Sequence, residues 1–238
     1  MTVRSDQVAV DDGSFAVHVV VPEDESNGAG ILLIQEIFGV GAYITAVADR
    51  LAGLGYTVAA PDLFWRFAPG HAADHDEAGL GRSIELVEQL DPDRAVVDCL
   101  ATLAHLRDLP QVTGPVGVLG FCLGGSLAVG CALAGDPDAV VSYYGSAVPG
   151  MVDRLGQITA PTLLHFGGAD PFIPDEQLQA VVAAVPQHPA IELNVEAGAG
   201  HAFDNHEAPM FHNADAAAHA WELTRAFLAR HLPTGGAA

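Results

Sequence analysis

VGVLGFCLGG, from Val116 to Gly125, is an apolar run that ends on a cysteine flanked by glycines and passes at once into a helical pattern from Leu123 to Ala134. A near-continuous apolar run of this length reads as a strand buried on both faces of a sheet. Gly120-Phe121-Cys122-Leu123-Gly124 has the spacing of the sharp strand-to-helix turn that lifts a nucleophile above a sheet, with cysteine where serine is usual. Its glycines allow the tight turn and the close approach of the helix. The turn sets Cys122 at a helix N-terminus, where amide dipoles favour the reactive thiolate and the Leu123 N–H can face an oxyanion.

On either side of this unit the same alternation repeats. Ile31 to Ile34, Thr57 to Ala60, Ala139 to Tyr143, Thr162 to Phe166 and Ile191 to Val195 read as buried strands, and Val17 to Val21 as one with less clean alternation. Tyr43 to Leu54, Asp93 to Arg107, Asp175 to Val185 and Ala214 to His231 carry apolar residues at helical spacing. Asp91 before Pro92 suits a helix N-cap, and Asp175 after Pro174 is read the same way. Alternating strands and helices predict an α/β fold with a mostly parallel central sheet of seven to eight strands flanked by helices, in one domain over residues 1–238. The least regular stretch, Pro61 to Leu90, includes a helix expected from Arg82 to Gln89 and leaves a strand end, where it can roof a pocket.

A nucleophile needs a base and an orienting acid. Asp170 follows the Thr162 to Phe166 strand in HFGGADPFIP, and His201 follows the Ile191 to Val195 strand in EAGAGHAF. Both fall in strand-end loops on the side of Cys122, in the order nucleophile, acid, histidine that marks α/β-hydrolases. Asp175 and Glu176 compete with Asp170, and His165 and His206 with His201. Asp175 reads as a cap, His165 sits within a strand, and His206 lacks the glycine-rich approach of His201.

Composition excludes several alternatives. Thirty acidic residues stand against nine arginines with no lysine, a formal charge of -21 that repels phosphate backbones and anionic lipid, so no nucleic-acid or membrane partner is expected. The first residues contain no uninterrupted apolar signal core, and a cytoplasmic location follows by default. Cys99, Cys122 and Cys131 are too few and wrongly spaced for a disulfide framework or zinc ribbon. His71 and His75 lie four apart in a Gly/Ala/Asp loop without a helical face, so no metal is expected there. No glycine fingerprint for a dinucleotide follows the first strand, and no cofactor is expected.

With Cys122, Asp170 and His201 in place, the chain resembles the dienelactone hydrolase family, the carboxymethylenebutenolidase-like enzymes, over nearly its whole length. The segments that carry the likeness are Gln35-Glu36-Ile37-Phe38-Gly39, Pro61-Asp62-Leu63-Phe64, Gly120 to Gly125, Tyr143-Tyr144-Gly145, Gly167 to Asp170 and Ala199 to Phe203. The resemblance implies that Glu36 lies beside the nucleophile and assists its activation, that the Ile37 N–H joins that of Leu123 in an oxyanion hole, and that the protein is a monomer. The family also holds its substrate carboxylate with two arginines. Their positions here fall on Asn205 and near Leu80, with Arg82 or Arg66 as the nearest substitutes, while Ala202 stands where a hydroxyl residue is common.

Without a bidentate guanidinium, a charged lactone loses its best geometric partner, so the expected substrate is a small ester or lactone less anionic than dienelactone. Phe38, Phe64, Trp65, Tyr144 and Phe203 are candidates for an apolar pocket wall. The alternative is a small-ligand binding protein that uses a hydrolase fold with little turnover.

Overall fold

The computed structural model describes residues 1–23 and 26–232. Eight strands form one sheet: β1 (Thr2–Val10), β2 (Gly13–Val21), β3 (Gly30–Ile34), β4 (Thr57–Pro61), β5 (Val116–Phe121), β6 (Ala139–Tyr143), β7 (Thr162–Gly167) and β8 (Ile191–Glu196). Their order is β1-β2-β4-β3-β5-β6-β7-β8, with β1, β2 and β4 joined antiparallel and every other pair parallel. β1 is absent from the expectation because its TVRSDQVAV is mostly exposed and polar. It sits at the sheet edge, hydrogen-bonded to β2 along its whole length.

Side-chain alternation explains the layering. Within β3, Leu32 and Ile34 join the core that includes α3 (Pro92–Asp108), α4 (Leu123–Ala134) and α5 (Asp175–Ala184). Ile31 and Leu33 point the other way, into the core beneath α1 (Ala42–Ala52) and α6 (Ala214–His231). The strands are thus buried on both faces, as their apolar runs predict.

Helix ends follow local chemistry. The Asp91 carboxylate accepts from the N–H groups of Asp93 and Arg94 at 3.0 and 3.2 Å, with Pro92 opening α3. Asp175, expected as a cap, is instead the first residue of α5, and the cap position is Pro174, which has no side-chain acceptor to offer. The helix expected at Arg82 begins earlier: α2 spans Glu77–Val87, started by Asp76, whose Oδ1 accepts from Gly79 N at 2.6 Å.

Register sets the site. Ile34 lies beside Gly120, Phe121 beside Tyr143, and Tyr143 beside His165. The segments leaving β3, β5, β6, β7 and β8 therefore emerge along one carboxyl edge, where open parallel sheets bind ligands.

Candidate active site

The turn between β5 and α4 is held by backbone crowding. A Cβ at Gly120 would lie 2.0 Å from Gly124 O, and one at Gly124 would lie 2.3 Å from Ile34 O, so only glycine fits at either position. Cys122 between them adopts φ 53°, a left-handed conformation that disfavours any L side chain. It is fixed there by its N–H, which donates to Tyr143 O at 3.0 Å. Its thiol is consequently raised over the sheet edge and partly exposed.

Above it stand the two loop residues. His201 Nε2 is 3.0 Å from Cys122 Sγ, and His201 Nδ1 is 2.7 Å from Asp170 Oδ2. The other carboxylate oxygen of Asp170 accepts from Phe172 N at 2.8 Å, which locks its orientation. Burial works against charge on the His201 ring, but the bonds to Asp170 and Cys122 overcome it and raise its pKa to about 10. A protonated ring at this place is the counter-charge a thiolate needs. The ring is also packed by Tyr144, with centroids 5.2 Å apart, and by Phe172 at 5.0 Å.

The loop after β3 supplies the opposite wall. Gln35 braces it to the loop after β4, its Oε1 accepting from Leu63 N at 3.2 Å and its Nε2 donating to Glu36 O at 3.3 Å. As the first residue of α4, Leu123 has an N–H without an intrahelical acceptor. The Ile37 N–H likewise has no acceptor among the described residues. Both residues border cavities that touch Cys122.

Glu36 is almost fully buried, and its carboxylate is held by residues far apart in sequence. Asn205 Nδ2 donates to Oε1 at 3.0 Å and Oε2 at 3.1 Å, and His75 Nε2 contacts Oε1 and lies 2.9 Å from Asn205 Nδ2. The His75 ring packs at a tilt against Phe38, with centroids 4.1 Å apart. His75 is a site residue that sequence reasoning weighed only as a metal ligand. His71 turns elsewhere, with Nε2 3.1 Å from Ser83 Oγ, and no group of three possible metal ligands converges among the described residues.

A cavity of about 310 Å³ opens between these walls, bordered by Glu36, Ile37, Phe38, His75, Cys122 and His201. Leu80 and Ile84 of α2, Ser146, Phe172, Ala202, Asn205, Ala208 and Phe211 complete it. Several expected pocket residues lie outside it. Phe64 is wholly buried against Phe67 and His71, and Phe203 is core packed on Tyr143 and Tyr144. Trp65 faces away, stacked on Phe15 with its Nε1 donating to Asp98. Tyr144 is not among the residues lining the cavity and meets the site through its packing on the His201 ring. Neither substitute arginine enters: Arg82, two residues from both Leu80 and Ile84, is exposed on the opposite side of α2, and Arg66 is bound by Asp12 and Asp98. Among the described residues, the cavity wall contains no arginine.

A mostly parallel sheet with a sharp cysteine-bearing strand-to-helix turn after β5, an aspartate after β7 and a histidine after β8 is the α/β-hydrolase architecture. Within that class the dienelactone hydrolase family model matches residues 15–232, and the chain belongs to this family. It is 36% identical over 227 residues to a carboxymethylenebutenolidase of Rhodococcus opacus, covering 90% of this chain and 86% of that one. Against a carboxymethylenebutenolidase of Pseudomonas putida it is 34% identical over 174 residues, 73% of this chain and 74% of the relative. The crystal structure of a dienelactone hydrolase from Anabaena variabilis has the same fold, with a TM-score of 0.72 and 19% identity over 97% of this chain and 98% of that one.

Proposed function

We propose that this hydrolase uses Cys122 as its nucleophile on small esters or lactones less anionic than the carboxylated lactone for which its family is named. The observation that carries the reading is the unbroken line from Asp170 to His201 to Cys122, at 2.7 and 3.0 Å. Membership of the dienelactone hydrolase family and 36% identity to a carboxymethylenebutenolidase over 90% of this chain support a hydrolase acting at this site.

The Cys122 thiolate attacks the substrate carbonyl carbon, and the electron pair of the C=O bond moves to oxygen, facing the N–H groups of Ile37 and Leu123. One such donor is worth roughly 10²- to 10³-fold in rate. Collapse of the tetrahedral intermediate breaks the carbon–alkoxide bond, and the leaving oxygen takes the Nε2 proton of His201. Water, deprotonated by the now neutral His201, then cleaves the thioester and releases the carboxylic acid, restoring thiolate and imidazolium. Asp170 keeps the Nδ1 side of the ring supplied with an acceptor throughout.

Charge supports the neutral substrate. The ionisable residues bordering the cavity near Cys122 are Glu36, His75 and His201. A carboxylated ligand would meet a buried Glu36 and no guanidinium. The test is kcat/KM on matched neutral and carboxylated esters and lactones, with Cys122→Ala as control. Preference for the neutral set, abolished in the variant, is the expected result. A preference for carboxylated substrates would overturn the charge reading, and turnover that survives Cys122→Ala would overturn the nucleophile. Saturable binding without turnover on either set would make the chain a ligand-binding protein on a hydrolase fold.

A further inference from the structure

Cys122 borders two cavities. Besides the one described above, a second of about 590 Å³ runs from Ile37, Cys122 and Ser146, which both cavities share, out along the groove between α3 and α4. Its walls are Val96 and Leu100 of α3, Leu123, Leu127 and Leu133 of α4, and Met151 from the 3₁₀ segment after β6. The charged side chains on its border are Asp93 and Arg154, both exposed. Since α4 starts beside the nucleophile and Leu133 and Ala134 lie at its far end, the groove extends roughly 16 Å at 1.5 Å per helical residue.

A tetrahedral carbon bonded to Cys122 Sγ, with its oxygen on the Ile37 and Leu123 amides, has two substituents left: the acyl chain and the alkoxide. The alkoxide must lie against His201, which protonates it. His201 borders the smaller cavity and is absent from the larger one. Resting on the cysteine-hydrolase reading above, we propose that the α3–α4 groove is an acyl-chain site, and that the preferred substrates are open-chain esters of medium to long apolar carboxylic acids with a small alcohol. A lactone keeps its alkoxide tied to its acyl chain and gains from the groove only through a substituent on that chain.

The groove suits this occupant on size and chemistry. Ligand sites are mostly apolar and fall between about 300 and 1,000 Å³. Hydrocarbon gains in proportion to the area removed from water, so each added methylene that enters the groove raises kcat/KM by up to about fourfold.

The experiment is kcat/KM for p-nitrophenyl esters from acetate to decanoate, on the parent and on Ala134→Trp and Val97→Trp. These two groove residues are exposed, on facing helices, so neither indole disturbs the core. The parent is expected to climb at least tenfold from acetate to hexanoate. The tryptophan variants are expected to lose at least tenfold on octanoate while acetate stays within twofold. A flat or falling profile with Cys122-dependent acetate hydrolysis overturns the acyl site and leaves the cysteine hydrolase standing. A rising profile unchanged in both variants also overturns it, because the chain then lies elsewhere. Absence of Cys122-dependent hydrolysis on every ester overturns both readings.

Discussion

Replacing Asp170 by asparagine tests the proposed triad through the tautomer of one ring. In the parent, Asp170 Oδ1 accepts from Phe172 N at 2.8 Å and Oδ2 accepts from His201 Nδ1 at 2.7 Å. The Phe172 N–H is a donor and demands an oxygen, so the asparagine carbonyl takes the Oδ1 position and its NH₂ group faces His201. An amide nitrogen can only donate. His201 Nδ1 must then be the unprotonated nitrogen, and the ring proton moves to Nε2, 3.0 Å from Cys122 Sγ. A neutral ring in that form cannot accept the thiol proton. The general cost of a wrong tautomer in such a triad is about 10⁴-fold, near 5.5 kcal/mol. Asp170→Asn should therefore lose roughly 10³- to 10⁴-fold in kcat/KM on a neutral ester, with Cys122 alkylation at neutral pH slowed in parallel. Asp170→Ala removes the donor problem along with the acceptor, leaves the imidazole free to choose its tautomer, and should lose less. Activity of Asp170→Asn within tenfold of the parent, or an alanine variant worse than the asparagine one, would refute the reasoning.

Three further outcomes follow from buried charge. Arg66→Met leaves the fully buried Asp98 without its ion-pair partner, a change that costs about 3–5 kcal/mol, so the urea midpoint should fall while kcat/KM of the folded enzyme is unchanged, because Arg66 borders neither cavity at Cys122. Asn205→Ala strips two N–H···O bonds from the buried Glu36 carboxylate; bonds to charged groups are worth about 1.5–3 kcal/mol, so denaturant unfolding should show a loss of that order. Burial lowers the His165 pKa to about 3. A depressed histidine stabilises the fold fully above its unfolded value near 6.5 and progressively less as pH falls below it, roughly 2 kcal/mol between pH 7 and 5. His201, raised to about 10, has the opposite sign and acts above pH 6.5. Urea unfolding at pH 7 and pH 5 should therefore show a smaller difference for His165→Gln than for the parent, and equal differences would sink this assignment.

Much of the fold is legible because buried parallel strands must be apolar runs and helices must repeat near 3.6. α4 begins and ends where its sequence says, since the glycines before Leu123 and Gly135 after Ala134 are themselves the boundary chemistry. β1 was not legible: an edge strand needs no apolar face, and its ladder with β2 is made by the backbone. At the site, Cys122, Asp170 and His201 carry local signals, because each needs a glycine-rich turn at a strand end. His75 carries none. Its contact with Glu36 joins residues 39 apart through a loop whose path no periodicity records. The aromatic wall departs from its expectation for a related reason: Phe64, Trp65 and Phe203 have the composition of a pocket, but only the path of the backbone decides whether a ring meets a cavity or the core.

The non-glycine residues with left-handed backbone are Cys122, Tyr144 and Ala202, at φ 53°, 39° and 53° among the described residues. All three stand at one place: the thiol, the ring behind His201, and the residue that follows His201. Such conformations cost of order 1–2 kcal/mol each and persist only where surrounding bonds over-determine them. Those bonds are present. Cys122 N donates to Tyr143 O, Tyr144 N to His165 O at 2.7 Å, and Asn205 N to Ala202 O at 2.9 Å. The first two link the strained residues to β6 and β7, interior strands of the sheet. The third closes the turn that also presents the Asn205 side chain to Glu36. One rigid frame thus fixes both halves of the site, the line that ends at the thiol and the buried carboxylate opposite. Side chains on that frame can then differ in charge without moving the reacting atoms.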